Sequence, residues 1–246
     1  MVQAASRRDR VRAATTGEIK QTARRILVAE GPEAVSLRAI AREMGMTAPA
    51  LYRYFGSHED LIKHVVADIF EEIADDIHAA IVAAGVASGG DMAAKLVAAC
   101  GEFRRWSLGH KQEFGLLFGS PLPGLEGVHD DVVDACAQKF SGTFFALFLE
   151  LWRHRPFPIP ADDEIEPGLR AQLAHYRDAL GVDLPLGAGL TFLRCWVRLY
   201  GMVSLEVFGH LRFALDDAAA MFDITLGELA DLVGLESTGD RDRSPA

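Results

Sequence analysis

Cysteine is scarce in this chain of 246 residues: Cys100, Cys136 and Cys195 are the only three, far apart and in no Cys-x-x-Cys pattern. An odd, scattered set builds neither a disulfide framework nor a zinc knuckle, which points to a reducing cytoplasm. Long apolar runs are missing as well. The greasiest stretch, FFALFLELW at 144–152, is too short to span a bilayer, and the N-terminal MVQAASRRDR has charge with no apolar segment behind it. Secretion and membrane insertion are therefore not expected. The usual signatures of catalysis are lacking too: there is no Gly-x-Ser-x-Gly, no P-loop and no His-Glu-x-x-His. Gly187-x-Gly189 has neither the preceding strand nor the final glycine of a dinucleotide fingerprint, and His129-Asp130-Asp131 reads as a helix start rather than a metal site. No catalytic residue, metal or cofactor is expected.

Strand alternation, internal repeats and low-complexity runs are also absent, and helical periodicity takes their place. After a polar arm, Ile19, Ala23, Ile26 and Leu27 recur at helical spacing until Gly31-Pro32 stops the run. Ser36 is placed to cap a second helix carrying Leu37, Ile40, Ala41 and Met44, which Gly45 ends as a left-handed residue. Thr47 caps a third, with Pro49 in its first turn, where a missing N–H costs nothing. Ser57 and Asp60 resemble a capping box with a shorter acid, opening a long helix with Leu61, Val65, Ile69, Ile73, Ile77 and Ile81 in one stripe. Further helices are predicted over 90–108, 110–119, 127–153, 167–180, 186–211 and 216–234. An irregular connection covers 154–168 and a loose tail 237–246. The class is all-α.

Positive charge is in deficit overall, with a net charge of -10, and an even spread would argue against a polyanionic partner. The spread is uneven. Residues 1–56 hold ten lysines or arginines against five acids, so a basic head of +5 precedes a body of -15. Within that head, two short helices about a glycine-bearing turn form a helix-turn-helix, whose second helix enters the DNA major groove. Leu51 and Phe55, four apart, would pack that helix inward. Ala48, Pro49, Ala50, Tyr52, Arg53 and Tyr54 then face DNA, with Arg38 at the start of the preceding helix. Small residues allow close approach to base edges, while the tyrosines and Arg38 can reach phosphates, or for arginine a guanine. Arg7 to Arg12 reads as a solvated run or as an arm for the minor groove.

The segment TTGEIKQTARRILVAEGPEAVSLRAIAREMGMTAPALYRYFGSHEDLIKHV, residues 15–65, resembles the TetR family of bacterial transcriptional regulators. The combination of Gly45-x-Thr47, Leu51-Tyr52-x-Tyr54-Phe55 and Asp60-Leu61 carries the resemblance. His58 stands where the family's phosphate-binding lysine usually does, which makes that backbone contact dependent on pH or removes it. WVRLYGMVSLEVFGHL at 196–211 looks like the C-terminal signature of a subgroup named for its Trp, His and Gly. Trp196 and Gly201 are in place, and Tyr200 occupies the expected histidine position.

The resemblance implies an all-helical homodimer. It would carry a basic arm at 1–14, a three-helix DNA-binding head at 15–60 and a larger ligand-binding and dimerisation body at 61–236. Operator contacts are expected from Ser36, Arg38, Thr47, Ala48, Pro49, Ala50, Tyr52, Arg53, Tyr54 and His58. The aromatics Phe103, Trp106, Phe114, Phe118, Phe144, Phe148 and Trp152 suit a core; the resemblance makes them candidates to line a ligand cavity, closed by Trp196 and Tyr200. Leu190, Leu193, Val197, Gly201, Ser204, Leu205 and Phe208, with Met221, Phe222, Thr225 and Leu229, exceed what one helix face needs and suit a four-helix dimer interface. The partners expected are double-stranded operator DNA, a second copy of the chain and a small-molecule effector. The reading is a repressor released by an apolar or amphipathic molecule; an all-helical enzyme or carrier using the same aromatic cavity is the competing class.

Overall fold

A computed structural model describes residues 6–119 and 131–235. Among these residues there is no strand, and ten α-helices follow one another. They are α1 (Arg7–Glu30), α2 (Leu37–Glu43), α3 (Ala48–Leu51), α4 (His58–Ala87), α5 (Met92–Gly109), α6 (Lys111–Phe118), α7 (Asp131–His154), α8 (Pro167–Leu180), α9 (Leu186–Val207) and α10 (Ala219–Leu232). The chain divides into two compact units. One is Met1–Asp75 with His110–Ser141, the other Asp76–Gly109 with Gly142–Ala246. The uninterrupted α4 contributes residues to both. No described helix is long and apolar enough to cross a membrane.

In the first unit, α1 begins well before the apolar run that announces it. Ser6 accepts from the Asp9 N–H while the Asp9 carboxylate accepts from the Ser6 N–H, so a reciprocal box starts the helix at Arg7. The stretch expected as a polar arm is therefore helical from Arg7 onward, with its first two turns in solvent. Ile19, Ala23, Ile26 and Leu27 are buried with Leu37, Ile40 and Ala41 of α2 and with Leu51 and Phe55. Leu61, Val65, Ile69 and Ile73 of α4 complete this core. Each such side chain contributes about 1.5–3 kcal/mol by leaving water.

In the second unit α9 packs on α5, α8 and α10. Its inward face is Phe192, Leu199, Met202, Val203 and Val207. Gly187 lies so close to the Pro160 carbonyl that an added Cβ would sit 2.1 Å from that oxygen, which lets the connection before α8 cross the start of α9. That connection, expected to be irregular, contains one 3-10 turn at Asp162–Glu164. α9 stops at Val207 rather than 211, and Gly209 takes φ +72° in the turns that follow. The expected tail at 237–246, and His129 and Asp130, lie outside the described residues.

Candidate functional site

The head contains the arrangement that the turn chemistry predicts. Ser36 caps α2 by accepting from the Ala39 N–H at 3.1 Å. Gly45 takes φ +65° between α2 and α3, a conformation that disfavours a side chain, and the Met46 N–H closes onto the Ala41 carbonyl at 2.8 Å. Thr47 precedes α3 without making a side-chain cap bond, and Pro49 occupies the first turn. The helix is one turn long, and Tyr52 to Phe55 continue as turns rather than as helix. The Tyr54 and Phe55 N–H groups both donate to the Leu51 carbonyl, at 2.9 and 3.1 Å.

Leu51 and Phe55 are buried, whereas Tyr52 is 57% exposed. Ser36, Arg38, Thr47, Pro49 and Arg53 are exposed too; Ala48, Ala50, Tyr54 and His58 are half-buried. None of these expected contact residues is buried. Arg12 adds a contact that motif reading missed. Its Nη2 donates to the Arg53 carbonyl at 3.2 Å, and its guanidinium lies 5.6 Å from the Tyr54 ring centre. The start of α1 is thereby tied to the residues that follow α3.

At the start of α4 the Ser57 hydroxyl accepts from the Asp60 N–H at 3.1 Å, and the Asp60 carboxylate accepts from the Gly56 N–H at 2.9 Å. The shorter acid reaches one residue further back than a glutamate box would. His58 Nε2 is buried without a hydrogen-bond partner among the described residues.

The second unit holds a narrow cavity, with about 50 Å³ of space for water-sized bodies. By that measure roughly three to five waters would fill it. α7 contributes Phe144, Leu147, Phe148 and Leu151, at i, i+3, i+4 and i+7 on one helix face. α5 contributes Met92, Leu96 and Cys100; α9 contributes Phe192, Cys195, Trp196 and Leu199; Leu229 and Val233 close it. Burial in these apolar surroundings pushes the Cys100 thiol up to about 12 and the Cys195 thiol up to about 11. Among the described residues no group of three or more His, Cys, Asp or Glu could hold a metal ion.

The aromatic residues expected around one cavity are divided between the two units. Phe144, Phe148 and Trp196 line it. Phe103 and Tyr200 are not on its lining but stack on Trp196, with ring centres at 6.1 and 5.9 Å. Trp106 is fully buried core, and Trp152 packs edge-on against Phe157 at 5.0 Å. Phe114 and Phe118 belong to the first unit. Phe118 lies 4.9 Å from Phe114, 5.7 Å from Phe70 and 5.6 Å from Phe140. Phe114 is fully buried in that unit, and half-buried Phe118 packs beside it on Phe70 of α4 and Phe140 of α7.

The residues expected at a dimer interface also divide. Val197, Leu205, Phe208 and Met221 are exposed, with Val197 at 67%. Leu190, Leu193, Gly201 and Ser204 are half-buried. Phe222, Thr225 and Leu229 are instead buried within the chain: Phe222 lies under the Arg104 guanidinium, Thr225 bonds the Met221 carbonyl, and Leu229 lines the cavity. Ile224, 57% exposed, takes the outward position that the sequence reading gave to its neighbours.

Residues 19–65 match the model of the bacterial regulatory proteins of the tetR family, and residues 96–229 match that of the tetracyclin repressor-like C-terminal domain. The HTH-type transcriptional regulator Rv1816 of Mycobacterium tuberculosis strain H37Rv is 28% identical over 211 residues, covering 84% of this chain and 86% of that protein. The crystal structure of a regulatory protein, SCO4313, superimposes with a TM-score of 0.68 at 30% identity, over 92% of this chain and all of that one. FadR of Bacillus subtilis, solved in complex with stearoyl-CoA, shares the fold at 13% identity and a TM-score of 0.54, over 87% of this chain and 96% of that one. With both family models matched, the second of them over more than half of its length, the chain belongs to the TetR family of transcriptional regulators.

Proposed function

We propose that this DNA-binding regulator is a repressor that holds a two-fold symmetric operator as a homodimer and lets go when a small apolar molecule enters the cavity of the second unit. One observation carries the reading: a chain whose helix-turn-helix leaves Thr47, Pro49, Tyr52 and Arg53 in solvent also has a cavity walled by Phe144, Phe148 and Trp196. Dimerisation would use the outward faces of α9 and α10. On α9, Val197, Gly201, Ser204 and Leu205 fall on one side at helical spacing, continued by Phe208 at its cap; on α10, Met221 and Ile224 do so. A pair of helices from each copy makes a four-helix interface.

Two recognition elements in a symmetric dimer enter successive major grooves when they stand about 34 Å apart. A ligand that favours another spacing releases DNA. Moving occupancy from 1:99 to 99:1 takes about 5.5 kcal/mol of preference for the released state, shared over two sites. The unbroken α4, which carries residues of both units, is the element proposed to connect the events.

The test is to select duplexes from a random pool, and then to measure anisotropy of the winning duplex against salt, protein concentration and a library of apolar compounds. A palindromic winner, a steep salt dependence and release by library members are expected. An all-helical enzyme or carrier would select no duplex.

A further inference from the structure

From the make-up of the cavity wall we infer that the effector is uncharged throughout the part that enters, so that the site excludes carboxylates and other anions and takes compact neutral molecules. This inference rests on the reading of the cavity as the effector site.

Among the described residues no lysine, arginine, histidine, aspartate or glutamate lines the cavity. The only lining side chains with polar hydrogens among the described residues are Cys100, Cys195 and Trp196. Thiols held protonated by burial are weak donors and supply no positive charge. Three cations on the lining helices are held in ion pairs, and exposed Arg153 and Arg194 stand outside the wall. Lys95 of α5 donates to Glu150 of α7 at 2.6 Å, Arg104 of α5 meets Glu206 of α9 at 2.6 Å, and Arg198 of α9 lies 3.6 Å from Glu228 of α10. An entering carboxylate would surrender its hydration and find no counter-charge; a neutral ligand of the same shape surrenders little. Recruiting Arg104 would strand Glu206, whose side chain is 12% exposed.

The wall is also a size filter. About 50 Å³ is free, against about 150 Å³ in an apolar cavity that takes benzene, so a compact ring enters only if the wall repacks, and a long chain requires the helices to part. Aromatic faces at Phe144, Phe148 and Trp196 offer edge-to-face contacts to such a ring.

Nitrobenzene and benzoate are a matched pair for the test, alike in size and shape and different in net charge. Calorimetric titration of the full-length protein at neutral pH, without DNA, is expected to show nitrobenzene binding at least about 100-fold more tightly than benzoate. Leu96→Lys, at a half-buried lining position, is expected to narrow or reverse that preference by raising benzoate affinity at least about tenfold. Its fold is checked by circular dichroism; the wild-type comparison stands without it. Equal binding of the two compounds, or tighter binding of benzoate, overturns the inference and leaves an effector cavity in place. Binding of neither compound overturns both readings. Preferential binding of nitrobenzene that never releases the selected duplex supports the inference and overturns only the regulatory reading.

Discussion

Arg24 of α1 reaches Glu113 of α6, its Nε donating to the Glu113 carboxylate at 3.2 Å, and Glu113 is among the few charged side chains buried in the chain. The same guanidinium forks onto Glu72 of α4, with Nη2 donating at 2.9 Å. One cation thus ties three helices of the first unit. The Glu72 hydrogen bond, foremost, and then Coulombic attraction and the Glu113 bond raise the Arg24 pKa above its usual value against the opposing effect of burial. Arg24→Ala strands a buried carboxylate and is expected to cost about 2–3 kcal/mol, less than a fully buried pair because the arginine is 27% exposed. Adding Glu113→Gln should recover part of the loss, the signature of a direct pair. Urea denaturation of the two single variants and the double variant checks this. A loss below about 0.5 kcal/mol for Arg24→Ala would show the cluster to be solvated surface charge.

Arg12 supports the segment that follows α3 from behind. Its bond to the Arg53 carbonyl and its position over the Tyr54 ring hold both residues where the proposed DNA face needs them. Arg12→Ala and Tyr54→Phe are each expected to weaken binding of the selected duplex about 5- to 10-fold, equally across sequence variants. The double variant should be little worse than either, since both changes act through one tyrosine. Ala50→Gln should instead alter which duplex is preferred. Anisotropy against a panel of single-base variants separates the two outcomes.

The head was legible because local chemistry decides it. A cap at Ser36, a left-handed Gly45 and the Leu51 and Phe55 pair each have one structural use. The start of α1 was not legible, because a helix in solvent carries no apolar stripe, and the Ser6 to Asp9 box uses an acid one methylene shorter than the usual glutamate. The cavity was half legible. Periodicity marks a side chain as buried but not the neighbour it is buried against, so Phe114 and Phe118 were grouped with Phe144 although Phe118 packs on Phe70 and Phe140, and Phe114 on Phe118. For the same reason Leu229 was read as facing a partner while it faces the cavity, and Cys100 and Cys195, weighed only as disulfide or zinc-binding candidates, were overlooked as lining.

The outward faces of α9 and α10 yield a prediction about assembly. Val197 and Ile224 are more than half exposed although both sit on long, otherwise well-packed helices. If these faces pair, Val197→Asp with Ile224→Asp should convert the dimer to a monomer at micromolar concentration, because two carboxylates per copy would lose water in an apolar interface. Sedimentation velocity reads the mass, and circular dichroism should be unchanged. A double variant that remains dimeric places the interface elsewhere.

The two cavity thiols give the last prediction, a pH dependence of stability. Both Cys100 and Cys195 have folded-state pKa values raised above the ordinary thiol value of 9.0, to about 12 and about 11, with burial the main cause. A raised acid binds its proton more tightly in the folded chain than in the unfolded one. Unfolding above pH 9 therefore releases protons, and stability falls as pH rises through the window from about 9 to about 12. Below pH 9 the same groups give no dependence. Cys100→Ser with Cys195→Ser should flatten the alkaline limb of a plot of denaturation midpoint against pH, even if it lowers the plateau. Reactivity should agree with titration. Iodoacetamide at pH 8, followed by mass mapping, is expected to label half-buried Cys136 first, half-buried Cys195 more slowly because its thiol is raised to about 11, and buried Cys100 only in denaturant, since a protonated thiol is a poor nucleophile. Rapid native labelling of Cys195 would mean that the cavity opens to water far more often than its closed wall suggests, and would place the route of ligand entry beside α9.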